Sequence, residues 1–241
     1  MSNVVITGSN RGIGLALTTV YAQRGDTVFA CCRTPGKAKE LQALAKTHSV
    51  TVVPLDVGDD TSVAALAKQL AGTPVDTLIN NAGVSGGPPE QQTATSMNFP
   101  AWADAFNVNA LGPVRVMQSL LPALKRSRAA KVMSVTSQLG AISLDMAFAL
   151  GYSASKAALN KFMRLAASEL KPHGVAVGVI HPGWVKTDMG GPGASITPTE
   201  SAAGIANVID QLSMHNTGGF WKWNGSRHEH STCSPQRASE D

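Results

Sequence analysis

The sequence predicts an α/β fold, a single parallel sheet with helices on both faces. Three observations carry this. Short apolar runs that suit buried strands alternate with helix-period runs from end to end. No linker or internal repeat divides the 241 residues, a length that suits one large domain. The first strand-like run passes through a glycine-rich turn, Thr7-Gly8-Ser9-Asn10-Arg11-Gly12-Ile13-Gly14, directly into a helix-like run.

Val4 to Ile6 is the first strand and Ile13 to about Arg24 the first helix, with Leu17, Val20 and Tyr21 at helical spacing. Glycines let the backbone approach a pyrophosphate, and the helix N-terminus offers free N–H groups and partial positive charge. The same turn would also serve as a plain tight connection. Thr27 to Cys32 is the second strand. An NAD-binding chain usually carries an acid at its end, to bond the ribose 2′-hydroxyl. Cys32 and Arg33 stand there instead. Arg33, with Arg11, would clamp a 2′-phosphate through a planar fork of donors, unless both are simply solvated.

Lys37 to Thr47 is helical, Thr51 to Pro54 a strand, and Leu55-Asp56-Val57 closes it. Asp56 suits either an adenine amino group or a turn with Gly58. Thr61 to Ala71 is a helix with an apolar stripe of Val63, Leu66 and Leu70. Val75 to Ile79 is the fourth strand and runs into Asn80-Asn81-Ala82-Gly83, a wall for a ribose or an ordinary turn. Residues 84 to 98 are loop. Pro100 to Lys125 is one long helix, expected to kink and divert a carbonyl near Asn109 and Gly112-Pro113.

Lys131 to Thr136 is the fifth strand. Ser137 follows at its C-terminal end, where ligands bind in open parallel sheets. Phe148 to Leu170 is a helix carrying Gly151-Tyr152-Ser153-Ala154-Ser155-Lys156. Tyr152 and Lys156 lie one turn apart on one face. A phenol titrating near ~10 becomes a neutral-pH proton donor only if brought down by about three units, roughly 4 kcal/mol. A desolvated lysine and a second positive charge would act in that direction. Ala176 to Ile180 is the sixth strand, residues 190 to 198 a glycine- and proline-rich lid, Thr199 to Ser213 a helix and Gly219 to Trp223 a last strand. Residues 226 to 241 are polar and expected to fray.

Composition narrows the function classes. Apolar residues make up 43% and charged residues 15%, which excludes overall disorder. The net charge of +4 is scattered, without the basic, aromatic-interleaved runs of a nucleic-acid binder. Cys31 and Cys32 are neighbours in a strand and point to opposite faces, while Cys233 lies alone in the tail. No metal spacing or disulfide framework is present, and a reducing compartment is expected. No signal peptide or membrane-length apolar run is read, so the expected location is cytoplasmic.

Taken together and in order, Thr7-Gly8-x-x-x-Gly12-x-Gly14, Asn80-Asn81-Ala82-Gly83, Asn109, Ser137, Tyr152-x-x-x-Lys156 and Pro182-Gly183 resemble the short-chain dehydrogenase/reductase family. The likeness covers about residues 3 to 225. The runs His181 to Met189 and Gly219 to Gly225 resemble the branch holding sniffer-type carbonyl reductases and the bacterial C-signal protein. The resemblance implies a Rossmann-like doubly wound sheet of about seven strands in one domain, residues 1–225, with residues 226–241 as a tail. It implies an NADP(H) cofactor, a small, hydrophobic carbonyl or alcohol substrate, and a homodimer or homotetramer.

The resemblance also implies roles. Tyr152 is the general acid or base, Ser137 orients the substrate oxygen, Lys156 holds the nicotinamide ribose, and Asn109 holds a water. Cofactor contacts are implied for Gly8, Asn10, Arg11, Gly12, Ile13 and Gly14 of the turn. They extend to Arg33, Asp56 and Val57, to Asn81, Ala82 and Gly83, and to Tyr152 and Lys156. Pro182, Gly183, Val185 and Thr187 complete the set. The gap of fifteen from Ser137 to Tyr152 is longer than the family's commonest form, which leaves Ser134 and Ser143 as rivals. Two alternatives stay open: a cofactor-binding signalling protein without essential turnover, and an NAD-linked alcohol dehydrogenase.

Overall fold

A computed structural model describes residues 1–229. Seven strands form one sheet: β1 (Asn3–Thr7), β2 (Thr27–Cys32), β3 (Val50–Pro54), β4 (Thr77–Asn80), β5 (Lys131–Val135), β6 (Ala176–His181) and β7 (Phe220–Lys222). All neighbours are parallel, in the order β3-β2-β1-β4-β5-β6-β7. The order reverses after β3, where the chain crosses from β3 to β4 on the far side of β1. Parallel pairing puts every strand C-terminus on one edge, and the reversal opens a crevice there.

Seven α-helices cover the two faces: α1 (Gly12–Gln23), α2 (Lys39–Thr47), α3 (Asp60–Gln69), α4 (Phe99–Phe106), α5 (Gly112–Leu124), α6 (Leu150–Leu170) and α7 (Pro198–Gln211). Period-two alternation in the strands divides the core. Val4 and Ile6 of β1 face α1, α2 and α7, packing with Leu17, Leu41 and Ile205. Val5 faces the other layer, with Leu66 of α3, Leu120 of α5 and Leu159 of α6. Cys31 and Cys32 fall into opposite clusters, as adjacent strand residues must.

Three sequence expectations are refined. The long helix of residues 100–125 is two helices joined by a π-helical turn, Asn107–Leu111. Pro113 has no N–H, so the carbonyl four residues earlier, that of Asn109, loses its α-helical donor. Gly112 N–H bonds the Asn107 carbonyl instead. Gly112 also has no room for a side chain: a Cβ would lie 2.8 Å from Val57 Cγ2. Second, the start of the helix expected from Lys37 is a separate 3-10 turn, Pro35–Lys37. Third, residues 226–228 are bonded back to β7. His228 N–H bonds the Phe220 carbonyl and its ring stacks on Phe220 at 4.4 Å, while Lys222 N–H bonds the Ser226 carbonyl. Cys233 and the rest of the expected tail lie outside the described residues.

Candidate active site

A cleft of about 420 Å³ opens at the C-terminal edge of the sheet. Its near wall is the glycine turn, where Gly8, Asn10, Arg11, Gly12, Ile13 and Gly14 all face the space. The turn is held by the end of β4. Asn81 Nδ2 donates to the carbonyls of Thr7 (3.0 Å) and Gly8 (3.1 Å). Thr7 Oγ1 accepts the N–H groups of Asn81 and Ala82, each at 3.0 Å. A Cβ on Gly14 would lie 2.1 Å from the Gly8 carbonyl oxygen, and one on Gly8 2.8 Å from Ala82 Cα. Gly8 also has φ +68, so only glycine fits there without strain. Asn81 thus lines the cleft while its amide builds the turn.

Cys32, Arg33, Asp56 and Val57 form the wall beside β2 and β3. Arg33 is exposed at the rim. Asp56 Oδ1 accepts the Gly58 N–H at 2.9 Å, so the turn that the sequence allowed is made, and the carboxylate still faces the cleft. Arg11 is ion-paired with Asp188 at the mouth, both largely exposed. The pair bridges the glycine turn and the segment after β6, and Asp188 thus competes with a 2′-phosphate for the Arg11 guanidinium that was expected to clamp it with Arg33.

Tyr152 and Lys156 project from α6 onto the floor, with Gly83 beside them. The Ser137 side chain stands beside the Tyr152 phenol, and its Oγ accepts the Leu139 N–H at 3.2 Å. The rival serines stand elsewhere: Ser134 is fully buried and accepts from Asn80 Nδ2, and Ser143 is exposed. Lys156 is buried, with Nζ donating to the Val135 carbonyl at 3.0 Å and lying 5.8 Å from the Tyr152 ring centroid. Among the described residues Val135 is its hydrogen-bond partner, which leaves donors free for a ligand. Asn109 is fully buried; its Oδ1 accepts the Val84 N–H and its Nδ2 donates to the Val84 carbonyl and Ser155 Oγ. Its side chain therefore ties the floor together and does not line the cleft.

Electrostatics depart from the sequence expectation. Burial pushes the Tyr152 phenol up to about 12, opposed in part by the Ser137 hydrogen bond. Burial brings Lys156 down to about 8. Both shifts favour the neutral form, as low dielectric does. The lysine alone therefore does not bring the phenol down in this fold.

The far wall follows β6. Pro182 and Thr187 line it, Thr187 facing Gly12 so closely that a Cβ there would approach Thr187 Cγ2 to 3.1 Å. Gly183 and Val185 do not face the cleft. Gly183 (φ +86) lies against Ile196 and Trp223, and Val185 is buried and bridges Ile196. Met189, expected at the apolar edge, lines the cleft, while sequence reasoning missed Leu55, Val84, Val108, Val135, Lys186, Asp188 and Pro198 as lining residues. Lys186 and Asp188 flank Thr187, so proximity in the chain was the available signal. A second hollow of about 460 Å³ lies at the opposite sheet edge. The Arg24–Asp210 pair lines it, Lys131 Nζ is bonded to two α7 carbonyls, and Asp76 accepts from Asn3 N–H and Ser127 Oγ.

Comparison with known proteins agrees with this fold. A family model described as short chain dehydrogenase matches residues 2–195. C-signal of Myxococcus xanthus is 39% identical over 163 residues, 67% of this chain and 96% of that protein. An uncharacterized oxidoreductase of Schizosaccharomyces pombe is 34% identical over 92% of this chain and 95% of its own. The crystal structure of NADPH-bound carbonyl reductase from chicken fatty liver superposes with TM-score 0.87 at 34% identity, covering 95% and 98% of the two chains. Carbonyl reductase Sniffer of D. melanogaster does so with TM-score 0.87 at 29% identity, over 94% and 98%. The chain belongs to the short-chain dehydrogenase family.

Proposed function

We propose that residues 1–225 form an NADP(H)-dependent reductase of small, hydrophobic aldehydes and ketones, acting in the reverse direction on alcohols. One observation carries the reading: the Tyr152 phenol stands on the floor of the cleft beside a buried lysine with donors to spare. Glycine at cleft positions 8, 12, 14 and 83 supports a dinucleotide site, because side chains there would push against the turn, Thr187 or Asn109 and keep a ligand off the backbone. Arg33 and Arg11, with Cys32 where an NAD binder carries an acid, favour a 2′-phosphate. Related structures support the same cofactor: the chicken liver enzyme is NADPH-bound, and a Pseudomonas aeruginosa carbonyl reductase is in complex with NADP.

When bound, the cofactor supplies a hydride and, once oxidised, a positive ring. The protein's own residues do the rest. Ser137 and Tyr152 both point a hydroxyl at the substrate oxygen, where two donors in a water-poor site stabilise developing alkoxide charge. Tyr152 then delivers its proton to that oxygen. Lys156 holds the ribose hydroxyls with its spare donors, and its ammonium steadies the phenolate left behind. The Asn109 carbonyl, freed by Pro113, receives a water that resupplies the proton through Lys156. Met189 lines the cleft, and Met146, Phe148 and Trp184, on the segments leading to Tyr152 and Thr187, are exposed, which favours an apolar substrate.

A panel of hydrophobic aldehydes and ketones, with NADPH oxidation followed by absorbance, tests this. Tyr152→Phe should lower turnover by roughly 10²- to 10⁴-fold, the range of general acid catalysis, with NADPH affinity retained. Full turnover by that variant would end the proposal.

A further inference from the structure

The geometry points to Gln92 as a positioning residue for Tyr152, an inference that rests on the reading of that phenol as the proton donor. Helix α6 begins without a cap of its own. Its N-cap is Ala149, which contributes no side-chain acceptor and sits at φ 45, ψ 62, in the left-handed region. The first-turn N–H groups must find partners elsewhere.

Gln92, from the loop after β4 and fifty-eight residues before Leu150, provides two of them. Its backbone carbonyl accepts the Leu150 N–H at 2.9 Å. Its side-chain Oε1 accepts the N–H of Tyr152 itself, also at 2.9 Å. Tyr152 is the third helical residue, the position a local Ser or Asp cap would serve. The amide nitrogen is equally committed: Nε2 donates to the carbonyls of Ser85 (2.9 Å) and Gly87 (2.8 Å). One acceptor and two donors are thus all used, and a flipped amide would set N–H groups against the Tyr152 N–H. The side chain is 2% exposed, so water cannot replace any of these bonds.

The surrounding residues leave this amide no freedom. A Cβ on Gly151 would come within 3.2 Å of Gln92 Oε1 and 2.9 Å of Trp102, so glycine is needed directly before the tyrosine. Gly86 (φ +78), between the two carbonyls Gln92 holds, lies where a Cβ would sit 2.9 Å from Ala105. Gln92 therefore ties the 85–87 loop, which continues the cleft residues Gly83 and Val84, to the first turn of α6. Displacing that turn displaces the phenol relative to Ser137. A misplacement of about 1 Å costs on the order of 10²-fold in rate.

Two variants divide the role. Gln92→Met removes acceptor and donors at similar length. Gln92→Glu keeps the acceptor for Tyr152 but turns a carboxylate on two carbonyl oxygens. Both should lower kcat by about 10- to 100-fold with NADPH affinity within about twofold. The glutamate variant should regain kcat as pH falls and its carboxyl becomes a donor again; the methionine variant should not. The chain has two tyrosines, so ring-labelled ¹³C-tyrosine NMR reads the geometry without turnover. The Tyr152 signal should move in both variants while that of Tyr21 stays. An unmoved Tyr152 signal overturns the inference. So does a loss of NADPH binding in step with kcat, which a merely structural role would produce. Full turnover in Tyr152→Phe would instead sink the proton-donor reading and leave the NMR result on Gln92 standing.

Discussion

Tyr152 and Lys156 share one face of α6, yet burial acts on them in opposite senses, raising the phenol to about 12 and lowering the ammonium to about 8. Near neutral pH the lysine is still mostly protonated, and a neighbouring cation is what the phenol needs to come down. His181, at the end of β6, offers a cleaner pH test. Its ring nitrogen accepts the Gln138 N–H at 3.2 Å, and burial, then His228 and Lys222, hold it down to about 4. The unfolded chain takes up a proton near ~6.5 and the folded one only near pH 4, so stability present above pH 6.5 is lost as pH falls toward 4. The loss should be on the order of 2 kcal/mol in urea titrations at pH 7 and pH 4.5, and His181→Asn should flatten it. An unchanged slope in that variant would assign the effect elsewhere. At the rim, Arg33→Asp should shift the kcat/KM preference from NADPH toward NADH by at least about tenfold, because a carboxylate repels the 2′-phosphate. No shift would remove Arg33 from cofactor choice.

The glycine turn between β1 and α1 works as an element because the end of β4 holds it. Thr7 Oγ1 and the Asn81 amide fix the strand ends together, and Gly14 lets the first turn of α1 pass against Gly8. Gly14→Ala would press a Cβ on the Gly8 carbonyl and the Asn81 amide (2.5 Å), neither free to yield. We expect it to destabilise by about 1–3 kcal/mol and to weaken NADPH binding, measured by thermal unfolding with and without cofactor. A variant with native melting and native affinity would show that the turn can relax. The π turn between α4 and α5 has an equally local cause in Gly112-Pro113, and both residues were visible as a kink signal in the sequence. The cap of α6 was not, since Gln92 is remote in the chain and glutamine is an unremarkable loop residue.

For the whole molecule, the parallel sheet and its strand order bring turns from β1, β2, β3, β4, β5 and β6 to one edge. Phe99 on α4, Leu111 on the π turn and Phe162 and Leu165 on α6 are all well exposed, between 37% and 65%. They lie on the helices that carry Asn109 and Tyr152, and support the expected homodimer or homotetramer through that layer. Sedimentation velocity should show a dimer or larger, and Phe162→Asp with Leu165→Glu should shift it toward monomer. A wild-type monomer at micromolar concentration would refute the assembly. Among the described residues no helix is long and apolar enough to cross a membrane.

By itself the sequence determined the alternation of strands and helices, most element ends to within two residues, the glycine turn and the Tyr152–Lys156 pair. These are local or periodic properties, set by side-chain spacing and backbone preference. Only the tertiary structure decided that Asn81 builds the turn, that Asp188 engages Arg11 and that Gln92 caps α6. Each joins residues far apart in the chain, and the direction of each pKa shift depends on how much water the packed neighbours exclude.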